Sequence, residues 1–109
     1  VTDDAVDQLV VDCSRSGGEL RVVVSGELDA ATEPQLVAAA AAAIDDTGIE
    51  MVVLDASALS FIDSAGLRGL MRCSDHAAQR CLPMRLIPGH GVVARLLDVA
   101  GVAEWFSYD

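Results

Sequence analysis

The chain has 109 residues, 52% of them hydrophobic, with 17 acidic and 7 basic side chains and a net charge of −10. That length and composition predict one globular domain over residues 1–109, large enough to bury a single core. All basic residues are arginine, and so acidic a chain cannot neutralise a row of phosphates; nucleic acid and anionic membrane surfaces are excluded as partners, and a basic protein patch suits it better.

Leu9–Cys13 and Leu20–Ser25 are β-rich runs joined by the turn-forming cluster Ser14–Gly18, which predicts an N-terminal hairpin. Thr32 offers an N-cap, Gln35 its capping-box partner and Pro34 a first-turn residue, opening a helix that runs through the alanine-rich Leu36–Ile44 and ends at Asp45-Asp46-Thr47-Gly48. Met51–Leu54 is uninterrupted apolar, as a central strand covered on both faces requires. A polar turn carrying Asp55 and Asp63 follows, and a second helix starts near Ser64. Its apolar face is expected to hold Leu67, Leu70, Met71, Ser74 and Ala78, and its polar face Arg68, Arg72, Asp75 and Gln79. Met84–Ile87 reads as a short strand closed by Pro88-Gly89. Val92, Val93, Leu96, Leu97 and Ala100 define a third helix ending at Gly101, and Glu104–Phe106 a last strand. The order β-β-α-β-α-β-α-β predicts an α/β fold, a mixed sheet with a mainly parallel centre and helices packed on it.

No apolar run approaches the roughly 18 residues of a membrane span. The first twelve residues carry four aspartates and no basic stretch of the signal-peptide kind, so a cytoplasmic location is expected. Cys13, Cys73 and Cys81 lie at no metal-like spacing and read as reduced packing thiols; Cys73 and Cys81 could pair only if their backbones came within disulfide range.

Nothing in the chain spells an enzyme. His76 and His90 stand beside no nucleophile, and Ser64 lacks the glycine two residues earlier that a nucleophile elbow needs. A P-loop, a dinucleotide fingerprint and a zinc-type ligand set are all missing, so no cofactor, metal or small-molecule substrate is expected. Asp55 closes an apolar strand as the phosphorylated aspartate of a receiver domain does. That chemistry also needs an acidic pair after the first strand and a late lysine. Here the first strand ends in Cys13-Ser14 and the chain holds no lysine.

The junction before the second helix is more informative. Taken alone, Asp63 or Ser64 ahead of a helix is an N-cap, worth about 0.5–2 kcal/mol, and Gly66 permits close packing. Such a junction also points unpaired N–H groups and a positive dipole end outward, which suits an acidic group. The longer pattern decides between these. Gly26-Glu27-Leu28-Asp29, a helix, then Val53-Leu54-Asp55 and Leu59-Ser60-Phe61-Ile62-Asp63-Ser64-Ala65-Gly66-Leu67, and later Arg95–Gly101, together resemble the STAS family of sulfate transporters and anti-sigma factor antagonists. The likeness runs from about Leu9 to Phe106, and the compact length is most similar to a stand-alone bacterial antagonist.

That resemblance implies a non-catalytic module that binds an anti-sigma factor of histidine-kinase-like ATPase fold and so releases a sigma factor. It implies a partner surface of Ser25, Gly26, Glu27, Asp29, Asp63, Ser64, Ala65, Gly66, Arg68 and Arg72. In the family the kinase phosphorylates a serine or threonine just before the motif glycine, which breaks the complex. Here that position is Ala65, which has no hydroxyl; Ser64, one residue earlier, is the possible substitute acceptor. The alternative implied by the same family is a regulatory subunit of an ABC-type lipid transport system or another transporter.

Overall fold

A computed structural model describes residues 8–101 and 107–108, the last two by backbone only. Strands β1 (Val10–Ser16), β2 (Glu19–Leu28), β3 (Met51–Ile62), β4 (Met84–Ile87) and β5 (Ser107–Tyr108) form one sheet in the order β1-β2-β3-β4-β5. β1 and β2 are antiparallel and every later pair is parallel, the expected mixed sheet. Helices α1 (Glu33–Ile44), α2 (Ser64–Gln79) and α3 (Val92–Ala100) are the crossovers between successive parallel strands. α1 packs on α2, β1 and β2; α2 also meets β3 and β4; α3 lies on β3.

The hairpin is tighter than Ser14–Gly18 suggested. Ser14, Arg15 and Ser16 pair with Arg21, Leu20 and Glu19, leaving Gly17-Gly18 alone in the turn. Gly17 supplies the left-handed φ of +59° that such a two-residue connection needs. The last strand is found at Ser107–Tyr108, beside Arg85 and Leu86; the expected Glu104–Phe106 lies outside the described residues.

The larger correction concerns β2 and β3, which run on to Leu28 and Ile62 rather than stopping at Ser25 and Leu54. Asp55 is therefore a strand residue, its Oδ1 accepting from Ser57 N–H (3.0 Å) and Ser57 Oγ–H (2.6 Å). Val23 pairs with Asp55 but Ser25 with Ala58, and Gly26 pairs with Leu59 but Glu27 with Phe61. Each step inserts one extra β3 residue, a bulge. The bulges break the two-residue alternation, so Leu54, Ala56, Leu59 and Ile62 are the residues that turn inward.

Val22, Val24, Leu28, Leu36, Leu54, Leu70, Leu86 and Leu97 form the centre of the core, each with at most 2% of its surface exposed. α2 buries Gly66, Leu67, Gly69, Leu70, Cys73 and Ala77. Ala78, expected inward, is exposed, and Ser74 and Met71 are half-buried, while Arg68, Arg72, Asp75 and Gln79 face solvent as expected. In α3, Val93 and Leu97 enter the core and Ala100 does not. Gly101 closes α3 in the left-handed conformation at φ +71°, as expected. No helix among the described residues is long and apolar enough to cross a membrane.

Candidate functional site

β2 and β3 run side by side toward the start of α2. Ser25 pairs with Ala58, the Gly26 carbonyl accepts from Ser60 Oγ–H at 3.1 Å, and Glu27 pairs with Phe61. Gly26 is forced: its φ is +93° and a side chain there would run into the Gln8 carbonyl, 2.2 Å from an added Cβ. The two sequence motifs thus meet as neighbouring strand ends.

β3 stops at Ile62 because Asp63, in extended conformation, caps α2, its Oδ1 accepting the Gly66 N–H at 2.9 Å. The N–H groups of Ser64 and Ala65 have no preceding turn to bond to and point out of the helix end. Gly66 lets this end press against β2. A Cβ there would lie 2.4 Å from the Leu28 carbonyl oxygen and 2.9 Å from Ile62 Cγ1. The Asp63 N–H reaches the same Leu28 oxygen at 3.4 Å. The turn after Leu28 is therefore held against the first turn of α2.

That turn is built by Asp29. Its Oδ1 accepts from the Ala31 N–H (3.0 Å) and the Thr32 N–H (3.1 Å). Thr32 Oγ accepts from the Asp29 N–H (3.0 Å) and donates to the Glu27 carbonyl (2.9 Å). The expected capping box is absent: Thr32 makes no side-chain cap bond to α1, and Gln35 instead donates to the Leu9 carbonyl at 3.2 Å. Asp29 wins because its short carboxylate reaches two N–H groups of its own turn, an arrangement that aspartate favours.

Asp29, engaged in its own turn, and Asp63, the cap of α2, are both half-buried near the α2 end. Between them Ser64 is exposed and Ala65 is half-buried, its methyl at the surface of the junction. Among the described residues none closes over this mouth. Arg68 lies one turn further along the same helix face and is exposed. Arg72 is a different case. Its Nη1 lies 3.0 Å from Oε2 of Glu33, whose side chain is only 12% exposed, so this arginine holds α1 to α2.

Sequence reasoning missed Phe61, which is 43% exposed at the edge of the junction. An aromatic in an apolar run looks like core, but Phe61 sits on the strand face opposite the buried Ile62. The three cysteines are free thiols. Burial, with Glu33 adding to it, pushes the Cys73 thiol up to about 12, while Cys81 is exposed just past α2. His76 is not simply solvated: its Nε2 lies 2.9 Å from Oδ1 of Asp45, with Arg80 Nη2 at 2.8 Å from the same oxygen. The described residues contain no group of three or more histidine, cysteine or acidic side chains able to hold a metal.

This fold, with a capped helix start lodged between two strand ends, defines a class. The STAS domain profile matches residues 10–108, and the chain belongs to that family. An anti-sigma factor antagonist from Mycobacterium paratuberculosis is 27% identical, with 94% of this chain and 86% of that chain covered and a TM-score of 0.74. The antagonist SpoIIAA of Bacillus, in its unphosphorylated form, is 18% identical over 92% of this chain and 88% of its own, with a TM-score of 0.73. The murine anion transporter Slc26a9 contains the same fold: 22% identity, TM-score 0.71, with 84% of this chain covered but 15% of the transporter.

Proposed function

We propose that this chain is an anti-sigma factor antagonist that docks the N-terminal end of α2, with the Ser25–Asp29 segment beside it, onto a kinase-type anti-sigma factor and thereby releases a sigma factor. The observation that carries the reading is the junction around Ala65, uncovered among the described residues and flanked by two carboxylates already engaged, Asp29 in its own turn and Asp63 as the cap of α2. It is a binding surface with no nucleophile, base or metal set of its own, and the module acts by occupancy. The likeness to the mycobacterial antagonist supports this reading over a transport role.

The methyl of Ala65 sets the regulation. A phosphoryl group adds about −1.5 to −2 charges. Placed ~5 Å from a partner carboxylate at an effective dielectric of ~20, each unit of charge costs about 3 kcal/mol. Halved by solvent, that still weakens binding on the order of a hundredfold. Ala65 cannot receive that group, so unless the exposed Ser64 beside it takes the phosphoryl group the module stays competent to bind in the presence of kinase and ATP.

The test is calorimetric binding to the kinase-type anti-sigma factors of the source genome. Ala65→Asp, which brings one charge where a phosphoryl group brings nearly two, is expected to weaken the complex about tenfold, and Ala65→Ser to make it sensitive to ATP. Unchanged affinity in Ala65→Asp would overturn the surface assignment. Co-purification with a transporter or an ABC ATPase, and with no anti-sigma factor, would place the module in transport.

A further inference from the structure

α3 carries two apolar stripes where one would suffice to dock it. Val93 and Leu97 face the core. Val92, Leu96 and Val99 fall at the i, i+4, i+7 spacing of a second helix face: Val92 and Leu96 are half-buried against the edge of the core and Val99 is 80% exposed. Together with Ile62 and Arg95 they line an open groove of about 270 Å³. That lies below the roughly 300–1,000 Å³ of small-molecule sites and suits one or two side chains of a polypeptide.

The groove is continuous with the α2 junction through Ile62. That residue ends β3, forms one wall of the groove, and lies where a Cβ on Gly66 would meet its Cγ1. The arginines point the same way. Arg15, Arg21, Arg72 and Arg80 each bond a carboxylate of the chain, and Arg85 is also engaged. The side chains of Arg68 and Arg95 alone have no hydrogen bond or ion pair among the described residues. In a chain with 17 acidic side chains against 7 arginines, a cation left unanswered is unusual. One of the two lies a turn beyond Ala65 and the other on the rim of the groove.

We propose that the anti-sigma partner extends from the α2 junction across Ile62 onto α3, placing an apolar side chain in the groove and a neighbouring carboxylate against Arg95. This rests on the antagonist reading and adds a second anchor to it. An apolar anchor in a pocket beside a charge pair is the arrangement that concentrates binding energy in a few residues.

The experiment compares wild type, Ala65→Asp, Arg95→Glu and Val99→Glu against the same purified anti-sigma factor, with thermal melts of each variant alone. Arg95→Glu and Val99→Glu are expected to weaken binding about tenfold or more, with melting unchanged because both side chains are exposed. Raising salt should narrow the gap between wild type and Arg95→Glu more than the gap for Val99→Glu. Wild-type affinity in both α3 variants, alongside a loss in Ala65→Asp, would overturn this inference and leave the antagonist reading intact. Failure of the wild type to bind any anti-sigma factor would overturn both. Two further outcomes assign the groove elsewhere and also overturn it. A dimer in light scattering that Val99→Glu abolishes gives it to a second copy. A shift in the emission of Trp105 in isolated Val99→Glu gives it to the chain's own last segment.

Discussion

The two ends of α2 solve opposite problems. At its C-terminal end, Asp45 from the cap of α1 gathers His76 and Arg80, so the charges there are answered within the chain. At its N-terminal end, Asp63 bonds the Gly66 N–H and the remaining first-turn N–H groups face outward, with the Arg68 side chain beyond them unanswered among the described residues. One end fastens α2 to α1, and the other is fastened by backbone contact while its polar groups stay available. The same helix is thus anchored by side chains at one end and by close backbone contact at Gly66 at the end proposed to dock.

Gly66 carries the sharpest form of this contrast. Gly66→Ala would put a Cβ 2.4 Å from the Leu28 carbonyl oxygen, a backbone atom that cannot swing aside. Overpacking of this kind costs about 1–3 kcal/mol, and the α2 end must lift from β2 to relieve it. Urea unfolding should show that loss, and binding to the anti-sigma factor should fall further than stability alone explains. Full stability in Gly66→Ala would mean that the α2 end is not clamped.

Midway along the helix the expected loss is smaller. Arg72→Met leaves the Glu33 carboxylate, with a side chain 12% exposed, without its partner. Because Arg72 itself is 61% exposed and water reaches its side of the pair, the loss should be about 1 kcal/mol rather than that of a fully buried pair. Urea midpoints of Arg72→Met and of the double variant Arg72→Met with Glu33→Gln would check this, the second change restoring part of the loss. A partner-binding role for Arg72 would instead show as weaker binding at unchanged stability.

How much of this was legible in the sequence follows from what sets each feature. Element order, the parallel centre and the Asp63 cap were readable because period, length and cap chemistry are local. The ends of β2 and β3 were not. Two bulges add a residue each to β3 and break its alternation, so Leu59 turns inward where a simple strand would place Ala58 and Ser60, and the phase is restored only at Ile62. At Thr32 the capping-box spacing was present, but Asp29 reached the backbone first. Arg68 and Arg72 looked equivalent on one polar face; only the fold brings Glu33 across to Arg72. The α3 groove was hidden for the same reason, since Val92, Val93, Leu96 and Leu97 read as one apolar face until β3 divides them.

The C-terminal end of α2 offers the smallest and most pH-dependent effect. The hydrogen bond from His76, then the charges of Arg80 and His76, hold the Asp45 carboxyl below its ordinary value of 3.8. A carboxylate whose folded pKa is depressed contributes stability that is fully present above 3.8 and is lost as pH falls through the folded value. Asp45→Asn removes that contribution. The variant should therefore melt slightly below wild type from pH 5 to 7, and the two melting curves should converge as pH is lowered beneath 3.8. Salt should shrink the difference at neutral pH, because the cluster is exposed and screened. A gap that persisted undiminished at acid pH would show that the Asp45 side chain acts otherwise than through its charge, and the contrast between the two ends of α2 would fail.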